Sequence, residues 1–271
     1  MNIGGIDTTA VIKFQARIMM GAQYERVISA TSESDVIVAC LRVAWNDAFR
    51  HVSENRAKTN KGTVQLLYEL EENAKKAAKK MLGAWAVDDD SIVSEWICQK
   101  ILYRDGVVYK TFVNWAKATD SAGKFRVASD AIDQGLLKEF AFIKLVDSQT
   151  HPLCFGHIQK LYNMALKLYL CLYCWKKELG IDDVMGNVIS EKDLANADCP
   201  IDSIILKQMD RLGVKKTGEL TKYKKFEAIK WSKLGTDHFA RELYCDLQHS
   251  IREHVGDFAK SNLFFDFENW G

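Results

Sequence analysis

Apolar residues recur through most of this chain at the three-to-four spacing that lines one face of a helix. The densest run is "CFGHIQKLYNMALKLYLCLYCW", Cys154 to Trp175. Read as a helix from about Ile158, it sets Leu161, Met164, Ala165, Leu168 and Leu172 on one stripe. Tyr162, Leu166, Tyr169, Leu170 and Tyr173 make the remaining faces apolar as well. A helix apolar on nearly every side is a central one, with neighbours around it. Its strongly polar positions are Gln159, Lys160, Asn163 and Lys167, and the spacing of 160, 163 and 167 puts three of them on one line. Such a stripe on a buried helix predicts the wall of a cleft.

The same periodicity predicts helices over "TTAVIKFQARIMMGAQYERVIS", "ESDVIVACLRVAWNDAFRHVSEN", "TVQLLYELEENAKKAAKKMLG", "DSIVSEWICQKIL" and "VYKTFVNWAKA". It continues through "KFRVASDAIDQGLLKEFAFIKLV", "PIDSIILKQMDRL" and "DHFARELYCDLQHSIREHV". In "ESDVIVACLRVAWNDAFRHVSEN" Val36, Cys40, Val43 and Ala44 share a face and Ser34 is the expected N-cap. With two prolines in the whole chain, Pro152 and Pro200, the fold class is read as all-α. The polar, turn-like stretches "WAVDDDS" and "TDSAGK" are soft boundaries, and a division near residue 135 gives an N-terminal helical domain, 1–135, and a second region, 136–271.

Two residues at helix starts carry candidate chemistry. Lys160 is read into the first turn of the central helix, where the dipole and the apolar surroundings both disfavour a cation and so lower its pKa. That is one way to make a nucleophilic amine; the alternative is a solvated lysine reaching over the core. In "ADCPIDSIILKQMDRL", Pro200 suits the first helical position and Asp202 falls in the first turn, with Ile204, Ile205, Leu206 and Met209 on the buried side. Free backbone N–H groups stabilise a carboxylate there. It is a good helix start, and equally a fixed negative charge for a cation developing nearby.

Composition narrows the partners. The chain has 271 residues, 37 Lys+Arg against 36 Asp+Glu and a formal charge of +1, so a polyanion must be held by a local basic face. The cluster "KKTGELTKYKKFEAIKW" interleaves Lys215, Lys216, Lys222, Lys224, Lys225 and Lys230 with Tyr223, Phe226 and Trp231. Cations for phosphates beside rings for bases suit a nucleic-acid surface, and Lys222, Lys224 and Lys225 are the expected DNA contacts. An exposed helix edge with core aromatics has the same pattern. "EENAKKAAKK", Glu71 to Lys80, has lysines to present to phosphates, against the preferred reading as a solvated helix face with Glu to Lys pairs four apart.

Seven cysteines, odd in number and embedded in apolar runs, read as reduced thiols, and Cys171 with Cys174 as core packing and not a zinc pair. The six histidines show no metal spacing. No metal or cofactor is expected. Neither a signal-peptide pattern nor an uninterrupted apolar stretch of membrane-spanning length appears, so a cytoplasmic monomer without membrane contact is expected.

The order of parts resembles the helix-hairpin-helix DNA glycosylase superfamily, in particular its lysine-bearing 8-oxoguanine glycosylase/lyase branches. "FGHIQK" gives Gly156 and Lys160 in a G-x-x-x-K relation, "LYNMALKLYL" is the apolar helix that follows, and "CPID" gives Pro200 and Asp202. The resemblance covers roughly residues 136 to 215. It implies a two-lobed, multi-helix glycosylase-like architecture, Lys160 as the nucleophile at a hairpin exit and Asp202 as its electrostatic partner. Gly156, His157 and Gln159, at that exit, would face DNA. The implied activity is excision of a damaged or modified base through a lysine Schiff base, in DNA repair or in defence against phage. Two departures stand out: "PLCFGH" keeps one hairpin glycine where the family has two, and "KKELGIDDVMGNVISEKDLAN" is inserted between the helices. A non-catalytic helical module that binds nucleic acid or protein through the lysine-rich segment is the alternative.

Overall fold

The structure, a computed structural model, describes residues 7–57, 102–136, 154–256 and 261–269. Among these, every regular element is helical. The helix predicted over "TVQLLYELEENAKKAAKKMLG" lies outside the described residues, as do "EENAKKAAKK" and all of "DSIVSEWICQKIL" but its last residue, Leu102.

Asp7 caps α1 (Thr8–Met20) by accepting from the Thr9 N–H at 2.9 Å. The long helix expected from Thr8 onward is broken, because Gly21 takes a φ of 51° that a side chain disfavours. A 3-10 turn (Gly21–Gln23) and α2 (Tyr24–Ile28) follow. The next helix, α3 (Glu33–Ala57), starts at Glu33, so Ser34 lies inside it and is not its cap; the Ser34 hydroxyl bonds the Tyr109 hydroxyl at 2.7 Å. On the face predicted to be buried, Val36, Cys40 and Ala44 are fully covered and Val43 half so.

From α4 (Val107–Lys117) Val108, Phe112, Trp115 and Ala116 point into the core. Asp120 caps α5 (Ser121–Asp133) through the Gly123 N–H. At the centre is α6 (Phe155–Cys174), which packs against α3, α4, α5 and the turn at Trp231, as its all-round apolar surface requires. Short helices α7 (Lys176–Leu179) and α8 (Glu191–Ala195) precede α9 (Ser203–Arg211). Three 3-10 turns, Gly218–Lys222, Phe226–Ala228 and Trp231–Lys233, occupy the lysine-rich stretch, and α10 (His238–Val255) and α11 (Leu263–Asn269) complete the chain. No helix among the described residues is long and apolar enough to cross a membrane.

The buried apolar residues form one cluster running from Ala16 to Phe265, so helices on both sides of residue 135 share it. One buried carboxylate ties its parts together. Glu33, at the start of α3, accepts from the Tyr169 hydroxyl of α6 at 2.7 Å and from the backbone N–H groups of Asn187, Val188 and Ile189 at 2.5, 2.7 and 2.8 Å. Four donors offset the cost of burying that charge and fix the loop after α7 against α3 and α6.

Candidate functional site

The site is built where α6 begins. Its N-cap is Cys154, whose backbone N–H donates to His157 Nδ1 at 3.4 Å and whose thiol donates to the Ser232 carbonyl at 3.0 Å. Burial pushes the Cys154 thiol up, so it acts here as a neutral cap and not as a thiolate. The Gly156 N–H donates to the Leu234 carbonyl at 3.1 Å. A Cβ on Gly156 would stand 1.9 Å from the Trp231 carbonyl oxygen. Gly156 therefore serves close backbone approach between α6 and the 231–234 segment. It lies inside α6, and its amide is engaged within the protein; the expected hairpin glycine ahead of the helix is not what this position provides.

The helix starts three residues earlier than the periodicity suggests, which moves Lys160 from the first turn to the second. The dipole acts within the first turn, so the argument from that placement no longer applies. Lys160 is 4% exposed. Its Nζ lies 3.2 Å from Asp202 Oδ2 and 5.6 Å from the centre of the Trp231 ring. The two residues singled out in sequence are thus in direct contact.

Asp202 is not in the first turn of α9 but is its N-cap, and Ser203 and not Pro200 opens the helix. Its Oδ1 accepts from the Ile204 and Ile205 N–H groups at 2.9 and 3.0 Å, which leaves Oδ2 for Lys160. One carboxylate therefore caps one helix and pairs with the lysine of another.

A set of buried amides holds the aspartate in place. Gln159 donates to the Ile201 carbonyl at 2.6 Å and accepts from the Ile201 N–H at 3.1 Å. From α10, Gln248 grips Cys199 in the same two-point way, at 2.8 and 2.9 Å. Asn163 accepts from the Trp115 indole at 3.0 Å and donates to the Tyr244 hydroxyl at 3.2 Å, and Tyr244 donates to Asp198 at 2.9 Å. The segment 198–201 is thereby clamped between α6 and α10, just ahead of Asp202. Gln159 and Asn163 are fully buried, so the polar line on α6 does not wall a cleft, and Gln159 is directed into the protein and not toward DNA. His157, 7% exposed, packs its ring 5.7 Å from that of Trp231.

Lys167, two turns beyond Lys160, pairs with Asp266 of α11 at 2.7 Å, with 11% and 3% of the two side chains exposed. This partner was missed in the sequence. Among the described residues no cluster of His, Cys, Asp and Glu suits a metal ion.

Beside the Lys160–Asp202 pair a groove of about 1040 Å³ runs between α9 and the 225–232 segment. Ser203, Lys207 and Arg211 line one side and Lys225, Lys230 and Trp231 the other. The lysine-rich stretch is therefore a set of 3-10 turns and not a helix edge, and its lysines diverge. Lys222 pairs with Glu219, and Lys216 donates to the Lys224 carbonyl at 2.8 Å. Of Lys222, Lys224 and Lys225, all exposed, Lys225 belongs to the groove. Lys207 and Arg211 went unread; their i, i+4 spacing on the polar face of an amphipathic helix was the available signal. The chain matches no protein-family model, no curated protein and no solved structure.

Proposed function

We propose that this protein is a DNA glycosylase with abasic-site lyase activity, in which Lys160 is the nucleophile and Asp202 its electrostatic partner. The observation that carries the reading is the 3.2 Å contact between the buried Lys160 amine and a carboxylate held by two backbone N–H groups, next to Ser203 and Trp231 of a groove lined by cationic side chains. A target base inside a duplex is unreachable, so the substrate nucleotide must leave the stack. Lys160 gives a proton to solvent, and its lone pair forms the bond to C1′. The glycosidic electron pair departs with the base, which takes up a proton. Asp202 offsets the positive charge that builds on the sugar. The alkylated nitrogen then passes a proton to O4′ as the C1′–O4′ bond breaks, which opens the ring to an iminium ion, and loss of a C2′ proton expels the 3′-phosphate. Reductive trapping of that iminium on DNA tests the reading.

One observation favours a second reading, a non-catalytic helical module that binds nucleic acid. Asp202 is fully used by capping α9 and pairing with Lys160, which is also how a purely structural buried ion pair is built. Such a module binds DNA and traps none.

A further inference from the structure

The groove between α9 and the 225–232 segment has a composition that neither the ion pair nor the packing of the core requires. Four cationic side chains, Lys207, Arg211, Lys225 and Lys230, line it and are exposed. Two carboxylates oppose them, and one of these, Asp210, is occupied: its oxygens accept from the Phe226 and Glu227 N–H groups at 2.9 Å each. That clamp joins the two walls, and four cations against two carboxylates leave a local cationic excess on a chain whose overall charge is +1. The field in the groove is thus set by where these residues stand.

The order of the lining groups selects among anions. A volume of about 1040 Å³ lies at the upper end of the roughly 300–1,000 Å³ of small-ligand clefts, so the occupant is read from those groups and not from size. Lys207 and Arg211 lie one helical turn apart along α9, with Ser203 one turn before Lys207, so the donors follow one another along one wall. Trp231 is half-buried, belongs to the opposite wall and contacts Lys160. A row of cations facing an indole is the combination that holds a strand by its phosphates and stacks its bases.

We infer that this groove is the track for a nucleic-acid strand with unpaired bases, leading along Lys207 and Arg211 to Trp231, on which the nucleotide nearest Lys160 stacks. This deepens the glycosylase reading and rests on it for the identity of the neighbouring site. A duplex keeps its bases paired and offers the indole no ring face, so single strands are preferred over duplex of the same sequence. An acidic polypeptide meets the same cations and gains nothing from Trp231.

The test is equilibrium binding of a labelled single-stranded oligonucleotide, its duplex and polyglutamate to the full chain across a salt series. Lys207→Gln with Arg211→Gln should lower the log-log salt slope by about 0.7 per lost phosphate contact and weaken single-strand binding about twentyfold at 0.1 M salt. Trp231→Ala should cost about tenfold for the single strand and leave polyglutamate unaffected, with Trp231→Phe retaining most of the affinity. Tighter binding of duplex than of single strand, polyglutamate binding equal to the oligonucleotide's, or a salt slope unmoved by the α9 variants overturns the proposal. If Trp231→Ala does not fold, the Phe variant and the α9 variants decide. Because this binding needs no lesion and no borohydride, a protein that binds single strands but traps nothing keeps the groove and loses the lyase. A protein that traps but shows no single-strand preference does the reverse.

Discussion

Lys160 meets Asp202 because the residue before each is bonded to the other's neighbour: Gln159 holds both the carbonyl and the N–H of Ile201. The two pairs, 159 with 201 and 160 with 202, keep one register between α6 and the segment ahead of α9. Gln159→Leu fills the volume but leaves two buried backbone groups of Ile201 without partners, at about 1–3 kcal/mol each. Denaturant unfolding should show a midpoint loss of that order without a change in slope. Base excision should fall as well, because the cap residue is no longer placed. Loss of stability with unaltered turnover per folded molecule would make Gln159 structural alone.

Asp202→Asn separates cap from charge. The amide oxygen still accepts from Ile204 and Ile205, so α9 should form. The countercharge to Lys160 is gone, and excision should fall by about 10²–10³-fold if the carboxylate stabilises a developing cation. A variant that is unstable yet fully active per folded molecule would leave Asp202 a cap and nothing more.

Two half-buried thiols and one buried phenol predict the pH at which the fold fails. Burial first, then neighbouring negative charge, pushes the Cys245 thiol up to about 11 from its ordinary 9.0; burial also raises Cys171 to about 11 and Tyr244 above its usual value. Each holds its proton more tightly when folded, so the folded state binds more protons than the unfolded state above about pH 9, and stability falls as pH rises. Thermal midpoints should be level from pH 7 to 8.5 and decline steadily toward pH 11. A midpoint flat to pH 11 would show these groups to be solvated in the native state.

Much of α6 was legible in the sequence because its signal is local: an apolar surface on every side of one helix demands a central place. The start of α6 was not, since a Cys–His cap carries no recognisable capping pattern, and the three-residue error changed the turn on which Lys160 stands. Lys160 and Asp202 were singled out as residues at helix starts, and the order of motifs linked them. What brings them together, the grip of Gln159 on Ile201 and of Gln248 on Cys199, pairs residues far apart in the chain and has no local trace. Asp266, the partner of Lys167, was hidden for the same reason. The interleaving of lysines with rings in the 215–231 stretch carried no sign of how its backbone runs. Consecutive 3-10 turns send Lys222 and Lys225 in different directions, while the two unread cations, Lys207 and Arg211, stand on a regular helix.

The most direct test of the central claim is borohydride trapping on a panel of oligonucleotides carrying intact modified bases, with a preformed abasic site for comparison. Because the iminium can form on an intact modified base only after its glycosidic bond breaks, a trapped adduct there reports base loss and covalent capture together. The account predicts a protein–DNA adduct with at least one lesion, abolished by Lys160→Gln and retained by Lys167→Gln, whose lysine pairs with Asp266 and stands two turns away. Lys160→Gln should remain folded, glutamine being a good helix former that can still hydrogen-bond Asp202. No adduct with any lesion, or an adduct that persists without Lys160, would contradict the account and leave the buried pair a structural one.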